Sequence, residues 1–475
     1  MRNVGFNSVL IGLASFVCCW EARSQSLLLN DQVPTAAETM AERQLTFKPG
    51  GHILTNVGVW TPDSQWIVYD VRSDPEGAVF DGTRIEKVHV ATREVVVLYE
   101  SRNGAGCGVA TCSPVEDKVV FILGPEHPTA DWQYAPNHRQ GVVVDASAPG
   151  RAALLDARDI TPPFTPGALR GGSHVHVFSG DGRWVSFTYQ DHVLAKFAEE
   201  SAARHIDLRN VGVSVPVQPV LVSKDHVRNH DGSCFSVLVT KTTAHPEPGS
   251  DEISKAFEDA WVGSNGYRRS DGGWQKRALA FQGHVLTRDG RTVAEAFIVD
   301  IPEDVTRAGD GPLEGTETLR PFPPAGTVQR RLTYTTNRKH PGLQGPRHWL
   351  RSSPDGTRIA ILMKDDAGVV QLYTVSPLGG SPVQITRGEM GIASAFSWGP
   401  DGKRLAHIMD NSVFVTEVET GKSVRLTQRS SDSLAPRPEA CVFSPDGLAI
   451  AYVRTVATPA GESHNQIFIV SVPVE

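Results

Sequence analysis

The stretch Phe443-Ser-Pro-Asp-Gly-Leu-Ala-Ile-Ala-Tyr452 decides the architecture of this chain. Its Pro presets the first turn angle, its Asp bonds nearby backbone, and its Gly accepts a positive φ, so the segment is a hinge between two strands. Related hinges stand at Trp60-Thr-Pro-Asp-Ser64, Cys112-Ser-Pro-Val-Glu116, Phe178-Ser-Gly-Asp-Gly182, Ser352-Ser-Pro-Asp-Gly356 and Trp398-Gly-Pro-Asp-Gly402, each leading into a run of alternating apolar residues. A second mark recurs at Leu45-Thr46, Leu332-Thr333, Ile385-Thr386 and Leu426-Thr427, each time in the last strand before the next unit. Pro354, Pro400 and Pro445 lie 46 and 45 residues apart, the period of four-stranded propeller blades.

Blade endings at Val95 to Tyr99, Ala152 to Asp156 and Val211 to Val217, an irregular fourth unit from Asp231 to Thr333, and three regular units after it predict an all-β, seven-bladed β-propeller. A six-bladed ring with the fourth unit as an inserted subdomain is the alternative. The last unit stops without a Leu-Thr strand, so the segment Arg43 to Phe47 is expected to complete it and close the ring, leaving no open sheet edge at the junction. One propeller domain then spans 43–475, with an insertion at 242–277. In that insertion Ser250 can cap a helix, Asp251 and Glu252 fill its first turn, and Ile253, Phe257 and Trp261 form a stripe at four-residue spacing. Such a helix docks outside the ring or covers the channel as a lid. The loop Gly124 to Gly141, with His127, Trp132, Tyr134 and His138, either stacks sugars or packs as a satellite core.

The chain has 475 residues and a net charge of -7, which supplies no basic footprint for nucleic acid. Residues 1–24, with Arg2, the mostly apolar run Val4 to Trp20 and Ala22-Arg-Ser24, have the form of an export signal, followed by a polar linker over 25–42. No later apolar run is long enough to span a bilayer. A periplasmic or secreted location follows as an expectation. Of the cysteines after the signal, Cys107 and Cys112 are close enough in sequence to bridge, or stand as buried thiols in neighbouring strands.

The hinges and Leu-Thr endings resemble the repeats of the Tol-system periplasmic propeller protein. Gly51-His-Ile-Leu-Thr-Asn-Val-Gly-Val-Trp-Thr-Pro-Asp63, Leu169-Arg-Gly-Gly-Ser-His-Val-His-Val-Phe178, Thr240-Lys-Thr-Thr243 and Gly249-Ser-Asp-Glu-Ile253 resemble an uncharacterised Tol-like bacterial propeller family. A more distant similarity is to oligogalacturonate lyases, propellers that hold a divalent metal at the axial mouth. The resemblance implies a fold and leaves the activity open.

Ligands of propellers bind near the axis, where innermost strands converge ahead of each hinge. Six residues before each hinge Pro or its replacement stand Asn56, Gly108, His174, Lys224, His348, Ser394 and Glu439. His174, His348 and Glu439 form a candidate site for a divalent metal such as Mn, Zn or Fe. Lys224 and Arg170 are the catalytic candidates, and Asn56, His52, His176 and Ser394 the binding candidates. The hinge aspartates are expected to be structural. Two functions follow: an exported binding or scaffolding propeller whose channel mouth takes a protein, peptide or cell-envelope glycan, or a metal-dependent lyase acting on acidic oligosaccharides. The chain has no Gly-x-Ser-x-Gly elbow, phosphate loop or His-Glu-x-x-His motif.

Overall fold

Four of the hinges are built by two side-chain oxygens. The Ser444 hydroxyl donates to Asp446 Oδ1 at 2.5 Å and accepts the Ala449 amide at 3.0 Å, while the same Asp446 oxygen accepts the Leu448 amide at 3.0 Å. Thr61 with Asp63, Ser179 with Asp181, and Ser353 with Asp355 repeat the arrangement. These aspartates hold turns, as expected.

In the computed structural model, which describes residues 42–200, 209–457 and 461–473, the chain forms seven four-stranded antiparallel sheets, and each hinge joins the innermost strand of its sheet to the next. From the innermost strand outward, blade 1 spans 51–100, blade 2 107–154, blade 3 171–238, blade 4 253–331, blade 5 351–384 and blade 6 397–425. Blade 7 comprises Pro436–Phe443, Ala449–Ala457 and Ser463–Ser471, with Glu42–Gln44 as its outermost strand. Glu42 pairs with Val470 and Gln44 with Phe468, so the N-terminal strand closes the ring.

The Leu-Thr ending acts through its hydroxyl. Just past the outermost strand the threonine accepts an amide from the third strand: Ile467 on Thr46, Ala296 on Thr333, Leu372 on Thr386 and Val413 on Thr427, all at 2.9–3.0 Å. The residue before it, Leu45, Leu332, Ile385 or Leu426, is buried in a seam between blades. Val239-Thr240 does the same in blade 3, and in blade 2 the carboxylate of Asp156 replaces the hydroxyl, accepting the Gly141 amide at 2.8 Å.

Blades 3 and 4 depart from the expected boundaries. Val211 to Val217 is not the third blade's last strand; Asn210–Val215 is its third and Phe235–Leu238 its fourth. The expected helix at 250–262 does not exist: Ile253–Trp261 is the innermost strand of blade 4, paired with Ala278–Leu286. A four-residue spacing is an even number, so it also marks one face of a strand, and the partner strand overrides the helix preference of its Lys, Ala and Glu. The α-helix of the described residues is His192–Glu200, which the sequence pattern did not foretell. It starts where Asp191 Oδ1 caps the Leu194 amide at 2.9 Å.

The apolar core is a ring of seams, one between each pair of blades. The seam between blades 2 and 3 is the poorest in apolar side chains and takes in the buried polar groups Asp156, Arg158, Ser173 and His176. Indoles lock neighbouring blades: Trp60 Nε1 donates to Val442 O, Trp261 to Val177 O and Trp398 to Arg351 O, at 2.8–3.1 Å. All four described cysteines are buried free thiols, and Cys107 and Cys112 lie on one strand without a bridge. Among the described residues no helix is long and apolar enough to cross a membrane. The expected signal over 1–24 and the linker up to residue 41 lie outside the described residues.

Candidate functional site

Three adjacent blades distort their innermost strands at one level. Val109 in blade 2, Val175 in blade 3 and Glu258 in blade 4 have φ of 59°, 55° and 56°, each three residues before the strand's last residue, Cys112, Phe178 or Trp261. The sheet register shifts at each of these points. A left-handed conformation outside glycine costs about 1–2 kcal/mol, and bulges of this kind re-aim side chains beside functional sites. The bulge at Val175 sends the two histidines of this strand in different directions. His176 turns into the seam between blades 2 and 3, with Nε2 3.0 Å from the Ser173 hydroxyl, and burial pushes its pKa down to about 3. His174 stays at the axis, neutral well below the usual imidazole range because it is buried and faces Arg139, Arg209 and Arg347.

Those arginines come from different blades. Arg139 enters the third strand of blade 2, Arg209 that of blade 3, and Arg347 leads into the innermost strand of blade 5, all at the end of the channel opposite the hinges. Lys255 of blade 4 joins them: burial, then Arg209, lowers its pKa. Burial lowers the pKa of Arg139, and Arg347 opposes its charge from the other side of the axis. Glu258 offers Oε1 to Arg347 Nε at 2.8 Å; burial raises its pKa while Arg347 pulls it down. Deeper, Arg351 of blade 5 donates to Oδ1 of Asn56 in blade 1. Blades 1 and 5 are not neighbours, so this bond crosses the channel. Burial lowers the pKa of Arg351 to about 10 and raises that of nearby Asp259 to about 6.

Several polar atoms around this axis are buried and have no hydrogen-bond partner: His174 Nδ1, Glu258 Oε2, Asp259 Oδ2, Arg139 Nε, Arg437 Nε and Thr55 Oγ1. Such atoms cost about 1–3 kcal/mol each unless something meets them. The hinge end of the channel differs in kind. It holds a cavity of about 340 Å3 lined from all seven blades, largely by Trp60, Phe178, Trp261, Trp398, Phe443 and the hinge prolines.

Of the candidates, Lys224 lies away from the innermost strands and the segments leading into them, and most of the others are tied to neighbouring groups. Glu439 is half-buried and takes Arg437 at 3.0 Å. His348 donates from Nδ1 to Pro346 O at 2.9 Å and accepts the Leu362 amide on Nε2 at 3.3 Å. Ser394 is fully buried between Ala395 O and the Ile408 amide. His52 Nδ1 faces Gly50 O and Asn465 O, in the seam of blades 1 and 7. Arg170 is wholly buried, clamped to Asp191 and Thr316 O over the Phe164 ring. Lys224 is displaced: it lies on the connection between the third and fourth strands of blade 3, exposed and paired with Asp231 at 2.5 Å. The Asp231 turn is not a blade hinge, so the count from it misses the axis. Counting instead from Trp261, the counterpart of Trp60 and Trp398, lands on Phe257, next to Glu258.

A family model described as "Protein of unknown function (DUF3748)" matches residues 106–230. In structure, the chain is similar to an oligogalacturonate lyase in complex with manganese, with a TM-score of 0.52 at 12% identity, covering 92% of this chain and 94% of that one. It is likewise similar to an oligogalacturonate lyase from Vibrio parahaemolyticus, with a TM-score of 0.52 at 11% identity over 91% of this chain and 94% of that one. At such identities the likeness is one of fold. The residues here do not fit a manganese ion: both ring nitrogens of His348 are committed to the backbone, His174 faces guanidinium groups, and Glu439 is held by Arg437. Among the described residues no group of three or more His, Cys, Asp or Glu converges on a metal position. In sequence, the chain is 49% identical over 425 residues to "Uncharacterized protein YidR" of Escherichia coli strain K12, covering 89% of this chain and 97% of the relative. With that identity across nearly both lengths, and with seven closed blades, the chain belongs to the YidR family of uncharacterised β-propellers.

Proposed function

We propose that the protein is an exported binding propeller that takes an anionic glycan, one bearing carboxylates, at the axial mouth opposite its hinges. The observation that carries this is the convergence of Arg139, Arg209, Lys255 and Arg347 from four blades on buried polar atoms that have no partner. Guanidinium groups in a partly desolvated mouth bind planar carboxylates in a bidentate way, and a net charge of -7 makes this basic patch local, not a general property of the surface. The N-terminal segment supports export, which places a cell-envelope glycan within reach.

A second reading, elimination on the same uronate, is favoured by His174. A neutral imidazole among guanidiniums could take the proton beside the carboxylate as the glycosidic oxygen leaves. Neither Lys224 nor Arg170 stands where it could serve that step.

The test is calorimetric titration of the full mature chain with trigalacturonate. Binding that weakens at least tenfold, about 1.4 kcal/mol, in an Arg139→Gln, Arg347→Gln variant supports the reading. Absence of binding, or binding indifferent to these changes, overturns it; binding of polyglutamate alone moves the assignment to an acidic protein. Ultraviolet absorbance of an unsaturated uronate, lost in His174→Ala, separates the lyase from the binder.

A further inference from the structure

A groove of about 820 Å3 opens beside blades 2 and 3, between the loop Asp131 to His138, the segment Ile160 to Phe164 and the helix His192–Glu200. That is the volume of a small-molecule site. The sugar-stacking role open to Trp132 is not available, because its ring is 6% exposed, stacked on His138 at 3.8 Å and covered by Arg158 and Arg228. It serves as the base of the groove wall.

Two histidines on this wall have defined proton positions. The carbonyl of Gln133 can only accept, so the proton of His138 sits on Nδ1, 2.8 Å away, and its Nε2 is bare. His192 Nδ1 lies 3.1 Å from that bare nitrogen and must therefore carry its own proton. Its Nε2 is left as a lone pair without a partner. The Asn137 amide nitrogen is placed 3.3 Å from His192 Nδ1; two donors cannot face each other, so this amide is assigned reversed, with its oxygen accepting the Nδ1 proton. Burial, together with His138, Arg158, Lys196 and His226, holds His192 neutral, with a pKa lowered to about 3. His226 is the converse. Its Nδ1 accepts the Arg228 amide at 3.1 Å, so its Nε2 carries the proton.

One wall of the groove thus shows an uncharged acceptor and an N–H donor. The side chains of Ile160, Pro162, Phe164 and Phe197 supply apolar surface, and Phe164 has one face covered by Arg170 at 4.8 Å. Adjacent hydroxyls on a ring with an apolar face satisfy these features together: each hydroxyl both donates and accepts, and the C–H face lies on the aromatic ring. The ionisable lining residues Asp131, Lys196, Glu199 and Glu317 carry both signs of charge, so the wall selects neither an anion nor a cation. We infer that this groove is a binding site for an uncharged saccharide, separate from the basic axial mouth and independent of the function proposed for it.

The test uses the full mature chain with cellotetraose, maltotetraose and chitotetraose as probes, read by calorimetry and saturation-transfer NMR. At least one is expected to bind, weakening at least tenfold in His192→Phe and in Phe164→Ala and unchanged by Arg347→Gln. Because His192→Phe could disturb the helix start, long-range nitrogen-15 NMR of the unaltered protein supplies a second readout: His192 Nε2 should resonate as a bare nitrogen and shift on saccharide addition. Failure of all three probes to bind, binding that ignores both groove variants, or a protonated His192 Nε2 would each overturn the inference. Loss of trigalacturonate binding with saccharide binding intact would strike the axial proposal alone.

Discussion

Arg347 holds only half of Glu258: its Nε meets Oε1 at 2.8 Å, while Oε2 is buried without a partner. The pair joins the entry of blade 5 to the bulge of blade 4, and its carboxylate competes with any anionic ligand for the guanidinium. Replacing Glu258 by Gln should therefore tighten trigalacturonate binding by about three- to tenfold, up to about 1.4 kcal/mol, whereas Arg347→Gln should weaken it and raise the pKa of Glu258 further. Calorimetry and carboxyl carbon-13 NMR titration check the two halves; an unchanged affinity in Glu258→Gln would place the ligand elsewhere.

The threonine that follows the outermost strand in five blades offers a stability test. In Thr386→Val the volume is kept, but the Leu372 amide loses its acceptor at 2.9 Å and Gln371 its donor at 2.7 Å. A buried amide left unpaired costs about 1–3 kcal/mol, and the same loss is expected for Thr427→Val through the Val413 amide. Urea denaturation should show both; equal stability of wild type and variants would remove the threonine from the account of blade ends.

Ring closure depends on a few N-terminal residues. Leu45 is 1% exposed in the seam of blades 7 and 1, and its amide donates to Ile467 O at 2.8 Å. Leu45→Ala should cost about 2–5 kcal/mol. Deleting 42–46 should do more, baring the Ser463–Ser471 strand as an edge, with concentration-dependent association visible by gel filtration. A monodisperse deletion variant of wild-type stability would refute the closure.

Acid should destabilise the fold. Burial holds His176, His230, His284, His348 and His407 at pKa values of about 3 to 4, so they stay neutral in the fold. In the unfolded chain they protonate below about 6.5, and stability present above that pH is lost as the pH falls towards 4. Asp156 and Asp259, raised to about 6 by burial, act oppositely between about 4 and 6, but they are fewer. Each unbalanced histidine contributes a slope of about 1.4 kcal/mol per pH unit. Denaturation curves from pH 7 to 4.5 measure it, and His284→Gln should flatten the profile by about one proton; a flat wild-type profile would contradict these burial assignments.

The hinges, the Leu-Thr endings and the closing strand were legible because each depends on contacts within a few residues or on a repeated pattern. Where the pattern failed, the cause is specific. The long connection 216–234 in blade 3 contains Asp231-Gly232, which imitates a hinge, and the even spacing of Ile253, Phe257 and Trp261 fits a helix stripe and a strand face alike. That error moved the count onto Lys224 and away from Glu258. Asn56 and His174 were found at the axis, but whether His348 offered a free nitrogen could not be read from spacing, since its partners Pro346 O and the Leu362 amide are backbone groups of its own blade.

By itself the sequence determined a ring of seven antiparallel blades and its point of closure, because turn chemistry, strand alternation and the capping threonine are local properties repeated along the chain. Only the tertiary structure decided what the channel presents. Arg139, Arg209, Lys255 and Arg347 are scattered over some two hundred residues of sequence, and nothing local marks them. They act on one another because ring closure brings separate blades to one axis, where burial and like charge set the chemistry of the mouth.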